Sequence, residues 1–267
     1  MPEGDVNITA VYRWEHSYES QTMHPTCTEP GFTTHTCTLC GDSYTDSPTE
    51  LTDHTFGDWF QAIAPTYLES GMDTRTCSHC GLREHRLTEP LGNPFGDVPA
   101  GSFYYDPVLW AVEKGITNGT TATTFGPGDQ CMRAHVVTFL WRAAGSPEPR
   151  NAVNPFVDVK ETDFYYKAVL WAVEKGITNG LDATHFGPFS YCNRAQVVTF
   201  LYRSLGSPQV NTQTNPFTDV PVGQWFTAPV LWAVDNGITN GLTAISFGPN
   251  SICNRAQIVT FLYRAYA

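Results

Sequence analysis

CNRAQVVTFLYR, residues 192–203, is the stretch on which the reading of this chain turns. Asn193 suits a helix N-cap, Gln196 stands three residues later as in a capping box, and Cys192 with Val197 makes a hydrophobic staple. Val197, Phe200 and Leu201 then recur at helical spacing. Arg194 is the misfit. A helix N-terminus is electropositive, so a cation in the first turn costs roughly 0.3–1 kcal/mol. Yet the arrangement returns as CNRAQIVTFLYR at 253–264 and, more loosely, as CMRAHVVTFLWR at 131–142. In that last copy, Met132 and His135 lose both the cap and the box.

Around these helices the chain repeats. NPFGDV, NPFVDV and NPFTDV begin at residues 93, 154 and 215, a constant step of 61. LWAVEKGITNG at 109–119 recurs at 170–180, and as LWAVDNGITNG at 231–241. Repetition at a fixed period marks an array of small units that cannot each bury a core alone. Each unit reads as two helices, the first closed by a glycine such as Gly115. Residues 93–267 are therefore expected to be mainly α, with units at 93–153, 154–214 and 215–267. Trp110, Trp171 and Trp232 read as core, and Cys131, Cys192 and Cys253 as buried free thiols.

Composition narrows the function. The 267 residues carry a net charge of −11 with only 15% charged residues, which argues against a phosphate-tracking nucleic-acid binder. No apolar run approaches membrane-spanning length. Arg133, Arg194 and Arg255 then allow two readings. Each reaches back to a carboxylate such as Asp97, Asp158 or Asp219, or each joins its helix N-terminus to form a site for an external anion.

F-x-D-V, a following aromatic, a helix ending in G-I-T-N-G, F-x-P and an R-A helix start together resemble the S-layer homology module, in three copies over residues 93–267. The resemblance implies α-helical modules packed as a pseudo-trimer. It also implies a non-catalytic anchor that binds secondary cell-wall polysaccharide, commonly bearing pyruvate ketals, and needs no cofactor. On that likeness Arg194 and Arg255, with Arg133 in the divergent copy, hold the pyruvate. Asp97, Asp158 and Asp219 contact sugar, and Gly119, Gly180 and Gly241 let the backbone approach it. The aromatic is Trp225 in the third copy, and Phe103 and Phe164 in the others. Asn and Gln replace the family's Thr and Glu in copies two and three. Such a protein is secreted to the cell wall, and MPEGDVNITAVYRW, without an apolar core after a basic start, is not expected to be its signal peptide.

Residues 1–92 differ in character. HPTCTEPGFTTHTCTLCG (24–41) and APTYLESGMDTRTCSHCG (64–81) are two copies offset by 40, each preceded by a His-x-aromatic element. Low hydrophobicity and abundant Thr predict small β-hairpin repeats, 1–53 and 54–92, held by metal or cysteine instead of a core. C-x-x-C supplies two thiolates to tetrahedral zinc. For copy one the expected structural zinc set is His16, Cys27, Cys37 and Cys40, the alternative being a disulfide from Cys27 to one of the pair. In copy two Tyr67 replaces the third cysteine, leaving His54, Cys77 and Cys80, with His85 as a further donor. These repeats also resemble Cys/His ribbon-type units in surface proteins of anaerobic Gram-positive bacteria. The competing function is a protein–protein or surface-lattice module that recognises other surface proteins. An enzyme is not expected, for no nucleophile–base set has independent support.

Overall fold

The computed structural model describes residues 15–150, 153–211 and 214–267. The MPEGDVNITAVYRW segment lies outside them. The chain divides into two compact units, one from residues up to 64 with 71–88, the other from 65–70 with 89–267.

The front unit holds two antiparallel sheets of three strands each. β1 (Tyr18–Met23), β2 (Gly31–Cys37) and β3 (Ser43–Thr49) form the first, and β4 (Phe60–Ile63), β5 (Gly71–Thr76) and β6 (Arg83–Thr88) the second. β1, β3 and β4 are exposed along their whole length. Among the described residues of this unit, the buried apolar side chains are three cysteines, Cys27, Cys37 and Cys77. These described residues include no hydrocarbon core.

In the second unit each repeat contributes two helices: α1 (Tyr105–Glu113) and α2 (Arg133–Ala143), α3 (Tyr166–Glu174) and α4 (Arg194–Ser204), α5 (Thr227–Asp235) and α6 (Arg255–Tyr266). The capping boxes form at Asn193/Gln196 and Asn254/Gln257, while Met132 caps nothing. The main helix contacts run between repeats: α2 packs on α3, α4 on α5, and α6 returns to α1. At the centre α2, α4 and α6 meet, and a closed triangle of backbone bonds joins their starts. Cys131 N–H donates to the Cys253 carbonyl (3.1 Å), Cys192 to Cys131 (3.0 Å) and Cys253 to Cys192 (3.0 Å). Each bond links different repeats, so the array is a ring, not an open stack.

The mainly α class expected for residues 93–267, with small hairpins in front, is corrected. Among the described residues the fold is a mixture of α and β, with six antiparallel strands in two small sheets and 24% helix. Two physical features explain the miss. Each helix has only nine to twelve residues of a repeat, because side-chain-anchored loops take up the rest. Asn93, for example, accepts from Phe95 N–H and donates to the Phe95 and Val98 carbonyls. In front, the polar runs SYTDSPT and REHRLT pair as third strands, although they show no apolar alternation to mark them.

Gly241 shows how tightly the loops sit. It adopts φ +83°, and an added Cβ would lie 2.6 Å from Phe217 Cε1 and 2.8 Å from the Ser246 carbonyl oxygen. Gly241→Ala is expected to cost about 1–3 kcal/mol, from the left-handed backbone and the clash together. A thermal melt unchanged by the substitution would refute this.

Candidate functional site

The misfit arginine is spent on the neighbouring repeat. Arg194 Nε donates to the Phe247 carbonyl (2.9 Å) and Nη2 to Thr239 Oγ1 (3.1 Å), while its guanidinium lies over Phe247 and Phe261. Arg133 makes the same bonds to Phe186 and Thr178, and Arg255 closes the ring on Phe125 and Thr117. The three are only 2%, 3% and 7% exposed for Arg133, Arg194 and Arg255. Burial draws each guanidinium below its ordinary pKa, but an arginine so placed remains charged.

The loop that receives each arginine is gripped from its other side by the aspartate of its own repeat. Asp219 accepts from Phe247 N–H and Gly248 N–H, both at 2.8 Å, and from the Ser246 hydroxyl. Burial would raise its pKa, but those donors hold it below the usual carboxylate range. Asp97 and Asp158 bind the corresponding amides at Phe125–Gly126 and Phe186–Gly187. One Phe peptide thus gives its N–H to an aspartate of its own repeat and its carbonyl to an arginine of the preceding one. The two charges bracket a loop and do not touch as an ion pair; neither reading of the arginine from sequence had a carbonyl for its partner.

The helix N-termini are likewise occupied. Arg194 N–H donates to the Ser251 carbonyl (2.9 Å) and Ala195 N–H to the Pro249 carbonyl (3.0 Å), and Gln196 N–H is taken by its Asn193 cap. Arg133 and Ala134 N–H bind Ser190 and Pro188, and Arg255 and Ala256 bind Asp129 and Pro127. The first two amides of each of these helices, on which a helix-end anion site would depend, are therefore used between repeats.

What stays open is a cleft of about 210 Å³ above Arg194. Repeat one supplies Phe103, repeat two Arg194, and repeat three Asn240, Gly241, Gln257 and Arg264, so three repeats build one cleft. Phe103, Phe164 and Trp225 are exposed, whereas Trp110, Trp171 and Trp232 are buried in the core. Near Arg255 the matching place of Gln257 is taken by His135, whose ring stacks on Phe164 at 5.8 Å. Burial, and then the charge of Arg255, lower the His135 pKa. Arg264, which lines this cleft, was not singled out from sequence, although Arg142, Arg203 and Arg264 recur at the same step of 61. Gly119, Gly180 and Gly241 have their Cβ positions facing a phenylalanine ring, so packing already demands glycine there.

In the front unit the Cys/His donors fall into two groups that can hold a metal ion, with all ligand atoms in each within 4.8 Å of one another. One is His16, Cys37 and Cys40, the other Cys27, His54, Cys77 and Cys80. Cys27 therefore leaves the set that sequence order gave it and joins the second repeat, with its sulfur 3.9 Å from that of Cys77. His85 instead meets Thr74 Oγ1. Cys40 Sγ lies 3.3 Å from His16 Nδ1, and Cys80 Sγ is 3.3 Å from His54 Nδ1. The knuckle geometry suits thiolates. Burial opposes ionisation of Cys37, but amide donors at Leu39 and Cys40 draw it down to about 6; the Cys80 and His79 amides hold Cys77 at about 5.

The S-layer homology domain family matches residues 94–137, 155–198 and 216–259. The chain is 34% identical over 118 residues, 43% of its length, to a cell surface protein of Thermoanaerobacter kivui. It is 27% identical over 174 residues, 64% of its length, to an S-layer protein of Bacillus thuringiensis subsp. finitimus. It is also 31% identical over 124 residues, 46% of its length, to an endoglucanase of a Bacillus strain. The matched parts make up 16%, 21% and 13% of those proteins, so the chain spans a small share of each.

Proposed function

Because this chain carries three tandem S-layer homology domains and is a cell-surface anchoring module, we propose that it binds an anionic, pyruvylated secondary cell-wall polysaccharide in the clefts between its repeats. The observation that supports this best is the composite cleft itself. An exposed aromatic offers a face for a sugar ring, and two arginines, Arg194 at the floor and the more exposed Arg264, offer charge to a carboxylate. The repeat order gives the other two clefts Arg133 with Trp225, and Arg255 with Phe164 and His135. Gly119, Gly180 and Gly241 enter by their backbone, while Asp97, Asp158 and Asp219 act at one remove, by setting the loop. Three weak contacts on one polymer raise the effective concentration for one another. No catalytic domain is present among the described residues. Assembly with other surface proteins is the second reading, and the exposed aromatics would serve it too.

The test is co-sedimentation with purified wall sacculi, before and after chemical removal of the ketals. Phe103→Ala/Phe164→Ala/Trp225→Ala removes exposed side chains and leaves the buried clasps intact. It is expected to weaken binding at least 100-fold, at about 1 kcal/mol or more per sugar contact across three sites. Retention of binding by the triple variant would refute the carbohydrate reading, and retention after ketal removal would refute pyruvate as the group recognised.

The Cys/His groups of the front unit, in turn, hold zinc as a structural ion. The donor set fits: tetrahedral zinc with sulfur at about 2.3 Å separates its ligands by about 3.8 Å, and the Cys27–Cys77 sulfurs are 3.9 Å apart. The absence of a hydrocarbon core among the described residues of that unit gives the fold a need for it.

A further inference from the structure

Resting on the zinc reading of the front unit, we propose that its two metal sites differ in kind. Cys27 is a ligand that the first repeat donates forward to close a Cys₃His site in the second. The His16–Cys37–Cys40 site of the first repeat keeps its fourth position for a thiolate from outside this pair of repeats.

The two triads are equivalent in the fold. Each places a His before the first strand of its sheet and a C-x-x-C on the turn between second and third strands. They differ in what reaches the fourth corner. Cys27 stands on a turn between β1 and β2, in which Thr26 N–H donates to the Glu29 carbonyl (2.8 Å) and Glu29 N–H to Thr26 Oγ1 (2.9 Å). The second repeat builds the same turn, with Thr66 N–H to the Glu69 carbonyl (2.9 Å) and Glu69 N–H to Thr66 Oγ1 (2.9 Å). Tyr67 occupies the place of Cys27 there. The turn is thus built without help from a metal, and its central side chain decides whether a repeat donates. Cysteine passes a ligand on; tyrosine ends the relay.

By the same logic the first triad would take its fourth ligand from a cysteine on such a turn. This chain has none to spare. Cys27, Cys77 and Cys80 belong to the second site, Cys131, Cys192 and Cys253 are fully buried in the helical unit, and residues 1–14 contain neither Cys nor His. Cys37 is buried but Cys40 and His16 are exposed, so the fourth corner is reachable from solvent. Zinc held by two thiolates and an imidazole keeps an exchangeable position, and a soft thiolate is a better occupant than a carboxylate. On binding, the incoming thiol gives its proton to solvent and its sulfur lone pair forms the new metal bond as a solvent molecule leaves.

The experiment loads the full chain with cobalt(II) and adds a peptide copying Pro25–Gly31, or its Cys27→Ser version, while sulfur-to-cobalt absorption is followed. The native chain is expected to bind two cobalt ions and to take up one equivalent of peptide, with increased absorption. Cys27→Ser is expected to weaken metal binding at the second site at least tenfold and to take up two equivalents. Cys37→Ser/Cys40→Ser should take up none, and the serine peptide should have no effect on any chain. Two bound ions without a peptide response, or a Cys27→Ser chain that weakens the first site instead, overturns the proposal alone. A native chain that binds no metal overturns the zinc reading and this inference with it.

Discussion

Replacing Arg194 with alanine is expected to lower the melting temperature of the helical unit by about 6–20 °C. The change removes two hydrogen bonds from a charged donor, leaves the Phe247 carbonyl without its partner and opens a void beneath two phenylalanine rings. Such losses sum to about 3–5 kcal/mol, and each kcal/mol moves the midpoint by about 2–4 °C in a domain of this size. Arg194→Lys should recover little, because an ammonium cannot present the flat fork that reaches a carbonyl and a hydroxyl together. An arginine whose sole work was to hold an external anion would behave oppositely: its removal would relieve the helix dipole and leave the melt unchanged or slightly higher. Circular dichroism melts of the three proteins decide the matter. A shift below about 2 °C for Arg194→Ala would refute the clasp.

Removing metal from the front unit should have a larger effect still. With three buried cysteines as its only buried apolar side chains among the described residues, this unit has little to oppose chain entropy once its ligands are free. Structural zinc supplies on the order of 10–16 kcal/mol in small domains. A strong chelator is therefore expected to abolish amide exchange protection in β2 and β5, and added zinc to restore it. The helical unit, which among the described residues contains neither of the Cys/His groups, should keep its protection and its melting point. Strand amides that stay protected in chelator would show that the sheets stand without metal.

Much of the helical unit was legible from its repeats. The step of 61 and the capping box at Asn193 are local matters, and local sequence carries them. What a linear reading could not supply was the partner of each element. Arg194 has an aspartate nearby in motif order, yet it bonds a main-chain carbonyl, and carbonyls have no signature in sequence. Cys27 sits ten residues from Cys37 but joins Cys77, because a stiff turn and a sheet carry it across to the next repeat. Phe103 and Arg194, ninety-one positions apart, line one cleft. The repeats were expected to pack on one another, but which side chain meets which neighbour depends on that packing and is not written in the local sequence. The strands β3 and β6 were missed for a different reason: they are exposed and polar, and hydrophobic period carries no information where nothing is buried.

The return of α6 to α1 also sets an order of events during synthesis. Arg255 bonds Thr117 across 138 residues, and among the described residues the main helix partner of α1 is α6. As the chain leaves the ribosome, α2 and α4 meet their partners soon after these emerge, but α1, made first, must wait for the last repeat. Contacts of such range are slow to form and leave apolar surface uncovered in the meantime. The ring therefore cannot lock repeat by repeat. Its closure requires α6.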